Sequence, residues 1–339
     1  VAPLHDIFKK AGVLGLLGIH KPEAYGGLGL DYSYALVAQE EWGSANHGSV
    51  PLAISVQTVM ATPALARFGS EELKRDFLAP AIAGDMVAAI GVSEPHAGSD
   101  VAAIKTTARK RGDDYVISGS KMWITNSTQA DYICLLANTS DDQKHKTKSL
   151  IIVPTDTPGF STSERLNKLG MRASDTAQLF LDEVVVPQRY LIGEEGMGFT
   201  YQMMQFQEER LAGAAICIKG LENCIRETVN YTSQREAFGK PLLDNQIVNM
   251  SLAEMQMEVE CMRALIYRAC EMYVNGEDPT LLASYAKLKA GKLTKSIPND
   301  CLQFWGGMGY MGDNPVSRAM RDMRLTAIGG GADDVMLGI

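Results

Sequence analysis

The sequence is short of positive charge, has few thiols and contains no long apolar run. Lysine plus arginine number 32 against 40 aspartate plus glutamate, a net charge of −8 at pH 7. Neutralising nucleic-acid phosphates needs the opposite balance, which argues against nucleic acid as a partner. No stretch approaches the roughly 18 uninterrupted apolar residues that cross a bilayer. The six cysteines, Cys134, Cys217, Cys224, Cys261, Cys270 and Cys301, form no CxxC pair. They sit in apolar segments, where free thiols behave as small hydrophobes, and this points to a reducing compartment. His5, His20, His47, His96 and His145 show no HxxxH spacing, so no metal centre is expected. The start, Val1-Ala2-Pro3-Leu4-His5-Asp6, has no charged region followed by an apolar run, and no signal peptide is expected there. Its first residue is not methionine, which leaves room for a targeting segment already removed.

What is present is a globular composition. The chain has 339 residues, 46% hydrophobic and 21% charged, enough for a large core in two or three domains. Periodicity divides it into three regions. Residues 1–88 read as helices punctuated by glycine and proline, with Asp31 and Ser70 as candidate N-caps. The stretch Ala24-Tyr25-Gly26-Gly27-Leu28-Gly29 between them reads as a loop. Residues 89–195 read as short strands: Tyr115-Val116-Ile117, Tyr132 to Leu136, Ser149 to Val153 and Leu179 to Val186. Gly112-Asp113-Asp114 supplies a hairpin turn, and nothing between the strands is long enough for a helical crossover, so an antiparallel sheet or small barrel is expected. Residues 196–339 return to a helical period. Val248, Leu252, Met255, Val259, Met262, Ile266, Ala269 and Tyr273 form one apolar stripe that Asn275-Gly276 stops. Further helices are expected over Phe199 to Tyr231 and Leu281 to Ile297, packed as a bundle.

Three segments bear on chemistry. Gly307-Met308-Gly309-Tyr310-Met311-Gly312 matches GxGxxG but follows a helical segment, whereas a dinucleotide fingerprint must follow a strand and open a helix. The loop Gly91-Val92-Ser93-Glu94-Pro95-His96-Ala97-Gly98-Ser99-Asp100 combines hydroxyls with glycines, which lets backbone N–H groups approach a phosphate; its composition is equally that of a surface loop. Trp123-Ile124-Thr125-Asn126 offers a flat ring beside a hydroxyl; by composition alone Trp123 reads as a core residue.

The Gly91–Asp100 loop and Trp123-Ile124-Thr125-Asn126 resemble the two flavin-contacting signatures of the acyl-CoA dehydrogenase family. The resemblance continues through Tyr25-Gly26-Gly27-Leu28-Gly29, the run from Lys168 to Thr176, Arg235-Glu236-Ala237-Phe238-Gly239-Lys240 and Gln303-Phe304-Trp305-Gly306-Gly307, in matching order along essentially the whole chain. It implies an α+β, mostly α fold: an N-terminal helical domain (1–88), a middle antiparallel β domain binding flavin and acyl-CoA (89–195) and a C-terminal four-helix bundle (196–339). FAD is the implied cofactor. Ile90, Val92, Ser93 and Ser99 would lie along the flavin and pyrophosphate, with Ser99 also near the acyl-CoA. Trp123 and Thr125 would meet the isoalloxazine ring. Arg235, Phe238, Gln246, Gln303, Gly306, Gly307 and Asp334 would complete the FAD contacts, many of them on a neighbouring subunit of a homotetramer built from dimers.

The resemblance also locates the catalytic base. Many members carry Tyr-Glu-Gly-Thr after the final Arg-Asp pair, and that glutamate abstracts the α-proton. Counting from Arg321-Asp322, this chain has Gly330 in the glutamate slot and Ala332 where threonine is usual, which puts one hydroxyl contact to FAD in doubt. The long-chain and isovaleryl branches carry the base on a bundle helix, immediately before an arginine. Phe206-Gln207-Glu208-Glu209-Arg210-Leu211 places Glu209 in that slot, and its wording is closer to the long-chain branch. Gln207, Glu208, Arg210, Ser99 and Gly330 would touch the substrate, although Glu208 and Glu209 are about 100° apart round a helix and cannot share one pocket.

The implied reaction moves the α-hydrogen to Glu209 as a proton and the β-hydrogen to the flavin as hydride. An ordinary glutamate, with a pKa of about 4.3, is a weak base for this step; a dry pocket raises it. The Gly330 N–H and a ribityl hydroxyl of FAD would hold the thioester oxygen. The expected function is therefore α,β-dehydrogenation of an acyl-CoA in fatty-acid or branched-chain amino-acid breakdown, with an electron-transferring flavoprotein as acceptor. The setting would be the mitochondrial matrix of a eukaryote or a bacterial cytoplasm. An acyl-CoA oxidase and a non-catalytic FAD-binding member remain alternatives. Family members usually run beyond the position of Ile339, so the resemblance implies a further terminal helix as an expectation.

Overall fold

The computed structural model describes residues 1–141 and 147–339; His145 lies outside the described residues. The α-helices are α1 (Leu4–Val13), α2 (Tyr32–Trp42), α3 (Ser49–Ser55), α4 (Pro63–Phe68), α5 (Glu71–Leu73), α6 (Ala79–Ala83), α7 (Gly198–Gln234), α8 (Gln246–Val274), α9 (Thr280–Trp305), α10 (Pro315–Met323) and α11 (Asp333–Leu337). The strands of the main sheet are β1 (Ala88–Gly91), β2 (Thr107–Arg111), β3 (Asp114–Thr125), β4 (Tyr132–Asn138), β5 (Lys148–Pro154), β6 (Phe160–Thr162), β7 (Thr176–Pro187) and β8 (Leu191–Ile192). Packing divides the chain into two units: Val1–Asp31 with Leu52–Lys168 and Arg172–Phe206, and Tyr32–Pro51 with Leu169–Met171 and Gln207–Ile339. This cuts the chain differently from periodicity, because α2 packs with the C-terminal helices.

The first unit is built on the sheet, ordered β6-β7-β3-β2-β4-β5-β8 with β1 paired to β4. Its ladders are antiparallel except that β1 and one residue of β2 pair parallel to β4. The β2–β3 hairpin, turning at Gly112-Asp113, lies in the connection that brings β4 back beside β1, so no crossover helix is needed. In β4 every residue from Tyr132 to Ala137 is buried, because both faces are covered. Tyr132, Cys134 and Leu136 join Leu65, Leu73, Phe77 and Leu78 of the helical side. Ile133, Leu135 and Ala137 alternate into a second core with Ile117, Ile151, Leu179 and Val184. Period-two burial on two faces is why β4 and β5 read as continuous apolar runs. Each buried Leu or Ile contributes about 1.5–3 kcal/mol.

Ser70 caps α5 as its position suggested, its side chain accepting from Leu73 N at 3.2 Å. The helical run Ser49–Phe68 is apolar enough to cross a membrane by composition, but 78% of its most apolar window is buried inside the fold.

The second unit is helical. The α8 stripe points inward as expected: Val248, Leu252, Met255, Val259, Met262, Ile266 and Ala269 are buried, while Tyr273 is half-buried. Opposing it, α9 buries Ala283, Ala286, Ala290, Leu293, Ile297 and Cys301. Gly276, with φ +78°, follows Asn275 in ending α8.

Candidate active site

The flavin signatures fall in the first unit on adjoining backbone. Lys121 Nζ donates to the Val92 carbonyl at 3.0 Å, and Met122 N donates to the Ser93 carbonyl at 2.9 Å. The Ile90–Ser93 segment is thereby fixed beside the end of β3. A buried ion pair anchors it further: Lys121 Nζ is 2.8 Å from Glu94 Oε1, with both side chains almost fully buried. Glu94 also accepts from Lys105 N at 2.6 Å and Thr106 N at 2.9 Å. Burial alone would raise the Glu94 pKa, but the Lys121 charge and these hydrogen bonds outweigh it and hold the carboxyl below its ordinary value.

The structure corrects the composition-based reading of Trp123. It is 56% exposed and has φ +60°. A register shift between Lys121 and Ile124 opens a bulge opposite β7 and turns the indole outward. A large aromatic held both exposed and in the left-handed region is strained and is characteristic of functional sites. Behind it Asn126, φ +69° and fully buried, donates to the Ala53 and Ala88 carbonyls at 3.0 and 3.3 Å. Thr125, Ile90, Val92 and Ser93 are half-buried, and Ser99 is exposed beside Gly98, where a Cβ would meet nothing within 4 Å. A flat ring, half-buried apolar side chains, hydroxyls and open glycine backbone fit a planar cofactor with a phosphate tail.

The second unit holds the catalytic candidates. Glu209 is half-buried on α7, and burial pushes its carboxyl up to about 7, against the opposing charges of Arg210 and Lys287. A Cβ built on Gly330 would lie 3.5 Å from Glu209 Oε1, with no other described atom beyond its own chain neighbours within 4 Å. The two positions that the resemblance implies for a base, Gly330 and Glu209, therefore face the same space. Gln207 and Arg210 belong to one network: Gln207 Nε2 donates to Thr280 Oγ1 at 3.0 Å, and Arg210 Nη1 donates to Ser284 Oγ at 3.3 Å.

Glu208 is placed otherwise than the resemblance implied. It is 1% exposed and accepts a hydrogen bond from the Tyr273 hydroxyl, while its carbonyl accepts from Tyr32 at 2.7 Å. Its carboxylate secures α7 against α2 and α8 and presents no surface to a substrate, the consequence of its angular separation from Glu209.

The remaining expected FAD contacts, Arg235, Phe238, Gln246, Gln303, Gly306, Gly307 and Asp334, are exposed. Phe238 and Gly239, with φ +53° and +80°, form the turn between the short strands Glu236–Ala237 and Lys240–Pro241. Within the Gln303–Gly307 signature, Trp305 packs inward, stacked on Tyr231 with centroids 4.1 Å apart and donating to Thr228 Oγ1 at 3.0 Å. The Gly170-Met171 part of another signature is structural: Met171 N donates to Asp322, and a Cβ at Gly170 would come 2.3 Å from the Arg321 carbonyl.

Sequence reasoning passed over Glu94, Lys121 and Lys287. Lys121 alternates inward on β3, a visible signal, but its partner was not. Among the described residues no three His, Cys, Asp or Glu side chains converge as a metal site.

Comparison with known proteins matches three family models in order: the N-terminal domain of acyl-CoA dehydrogenase over residues 2–85, the middle domain over 89–184 and the C-terminal domain over 196–339. The chain is similar to a mitochondrial long-chain specific acyl-CoA dehydrogenase of Sus scrofa, 36% identical over 98% of this chain and 77% of the relative. It is equally similar to a mitochondrial short-chain specific acyl-CoA dehydrogenase of Homo sapiens, 36% identical over 96% of this chain and 79% of the relative. Identity therefore does not rank acyl-chain length. A chain in the solved structure of the electron transferring flavoprotein of Acidaminococcus fermentans superposes with TM-score 0.94 at 33% identity, covering 98% of this chain and 87% of that one.

Proposed function

The chain belongs to the acyl-CoA dehydrogenase family, and on that premise we propose that Glu209 is the base with which it converts an acyl-CoA to the trans-2-enoyl-CoA. The family's chemistry is flavin-dependent dehydrogenation with FAD as cofactor. The observation that carries the assignment is the 3.5 Å approach between Glu209 Oε1 and a Cβ at Gly330. A base must reach its proton, and this requirement constrains the carboxylate rather than the backbone position that supplies it.

Glu209 takes the α-proton. Its burial keeps the carboxylate poorly solvated, and an acyl chain that expels more water brings its basicity closer to that of the α-carbon. The Gly330 N–H is the chain's donor for the thioester oxygen, stabilising charge as the α-proton leaves. Ile90, Val92, Ser93, Ser99, Trp123 and Thr125 would hold FAD, which would supply the hydride acceptor for the β-hydrogen. Arg235, Phe238, Gln246, Gln303, Gly306 and Gly307 would reach FAD of a second copy, and Asp334 would complete the FAD contacts. The full exposure of Phe238 in a left-handed turn supports that reading, since such a ring is costly to leave in water. The homotetramer and the electron-transferring flavoprotein are part of the same proposal, the latter supported by the likeness to a chain in such a flavoprotein's structure.

The test is anaerobic addition of straight and branched acyl-CoAs to the FAD-loaded protein. Bleaching of the flavin by one class, followed by reoxidation by an electron-transferring flavoprotein but slowly by air, is the expected result. Rapid recolouring in air would make the protein an oxidase. No bleaching by any acyl-CoA would make it a non-catalytic flavoprotein.

A further inference from the structure

Lys287 lies in the first half of α9, 3% exposed, among the buried Ala283, Ala286 and Ala290 of its own helix. An ammonium removed from water costs several kcal/mol unless it is paired and hydrogen-bonded, and its Nζ donates to the carbonyl of Gly331. That carbonyl belongs to the turn in which Gly330 and Gly331 have φ +62° and +96°. Such a turn lacks the repeating hydrogen bonds of a helix and needs an external anchor to hold one peptide orientation.

The titratable and charged groups that act on Lys287 come from two elements: Asp333 at the start of α11, and Cys217, Glu209 and Arg210 on α7. Asp333 Oδ2 is itself 2.8 Å from Lys295 Nζ. The start of α11 packs so closely on α9 that a Cβ at Gly291 would come 2.0 Å from Asp333 Oδ1. Lys287 therefore holds the glycine turn through its Gly331 carbonyl and lies within electrostatic reach of Glu209, the carboxylate beside that turn.

We propose that Lys287 is a positioning residue for the dehydrogenation: through the Gly331 carbonyl it fixes the Gly330–Gly331 turn beside Glu209 and holds a positive charge close to that carboxylate. The proposal rests on Glu209 as the base. A lysine with a purely structural role would alter stability and FAD content, but not the pH at which the base comes into play.

The experiment compares FAD-loaded wild type with Lys287→Met, Lys287→Arg and Lys289→Met, a change to another cation of α9 whose partner is Glu258 on α8. Anaerobic flavin reduction is followed across the neutral range, using the acyl-CoA that bleaches wild type fastest. Lys287→Met should move the kinetic pKa up by about half a unit to one unit, a threefold to tenfold loss below it, with a lowered plateau from the released turn. Lys287→Arg should restore the pKa, and Lys289→Met should leave the profile at wild type. If Lys287→Met fails to retain FAD, Lys287→Gln, neutral and still a donor, carries the same expectation. A neutral variant with the wild-type pH profile at matched FAD content overturns the proposal. Glu209→Gln is run alongside: if it reduces flavin at the wild-type rate, the base assignment itself has failed, whereas an inactive Glu209→Gln beside an unshifted Lys287→Met condemns only the role of Lys287.

Discussion

Gly330 and Glu209 meet in space: a Cβ on the glycine would stand 3.5 Å from Oε1 of the glutamate. One comes from the turn before α11 and the other from the first third of α7. The convergence makes the position of the base transferable. Glu209→Gly should be nearly inactive, and adding Gly330→Glu should recover part of the flavin reduction. Recovery should be incomplete, because φ is +62° at Gly330 and a side chain there costs roughly 1–2 kcal/mol. The measurement is the anaerobic reduction rate of the double variant against Glu209→Gly at matched FAD content. A double variant that binds FAD and acyl-CoA but reduces no faster would show that the two positions do not converge on the α-hydrogen.

Glu209→Gln keeps size and removes the proposed base. Flavin reduction should slow by at least roughly 10²-fold with FAD content unchanged. If Glu208→Gln is the damaging change instead, the base has been placed one residue too late. From the structure, Glu208→Gln should lower stability by loosening the Tyr273 contact.

The pH dependence follows from burial of Glu209, which pushes its carboxyl from 4.5 to about 7. The ionised form is the base, so flavin reduction should rise as pH increases through about 7. Stability runs the other way. A folded-state pKa above the unfolded one means the native protein binds more protons, so this group's contribution is complete below about 4.5 and is lost as pH rises through about 7. Glu209→Gln should therefore gain stability over wild type at pH above 7, on the order of 1–3 kcal/mol, and little in mild acid. Thermal melts of both proteins at the two pH values check this; equal differences at both would contradict the raised pKa.

Arg235→Ala should weaken FAD retention by about 1.5–3 kcal/mol through loss of a charge-assisted contact. Flavin released on dilution, followed by fluorescence, reports it. Unchanged retention would remove Arg235 from the cofactor's contacts.

Glu94→Gln tests the anchor beneath the flavin face. It leaves Lys121 buried without its countercharge and disturbs the bonds to Lys105 N and Thr106 N. A stability loss of roughly 3–5 kcal/mol is expected, together with weaker FAD uptake by the apoprotein. Loss of stability with FAD affinity intact would make the pair a fold element only.

The sequence by itself determined what depends on neighbours along the chain. The α8 stripe, Ser70 as a cap, the Gly112-Asp113 hairpin and the apolar runs of β4 and β5 are local patterns that burial enforces at periods of 3.6 and 2. The glutamate before Arg210 and the glycine in the other slot were legible as residues matched to family motifs. Tertiary structure decided what those residues meet. The bulge that turns Trp123 outward arises from pairing with β7, and the burial of Glu208 arises from Tyr273 of α8 and Tyr32 of α2. The Lys121–Glu94 pair and the grip of Lys287 on Gly331 join segments whose separation in sequence carries no periodic signal. A hydrogen bond or a shifted pKa depends on a few ångströms between such segments, and only packing sets those distances.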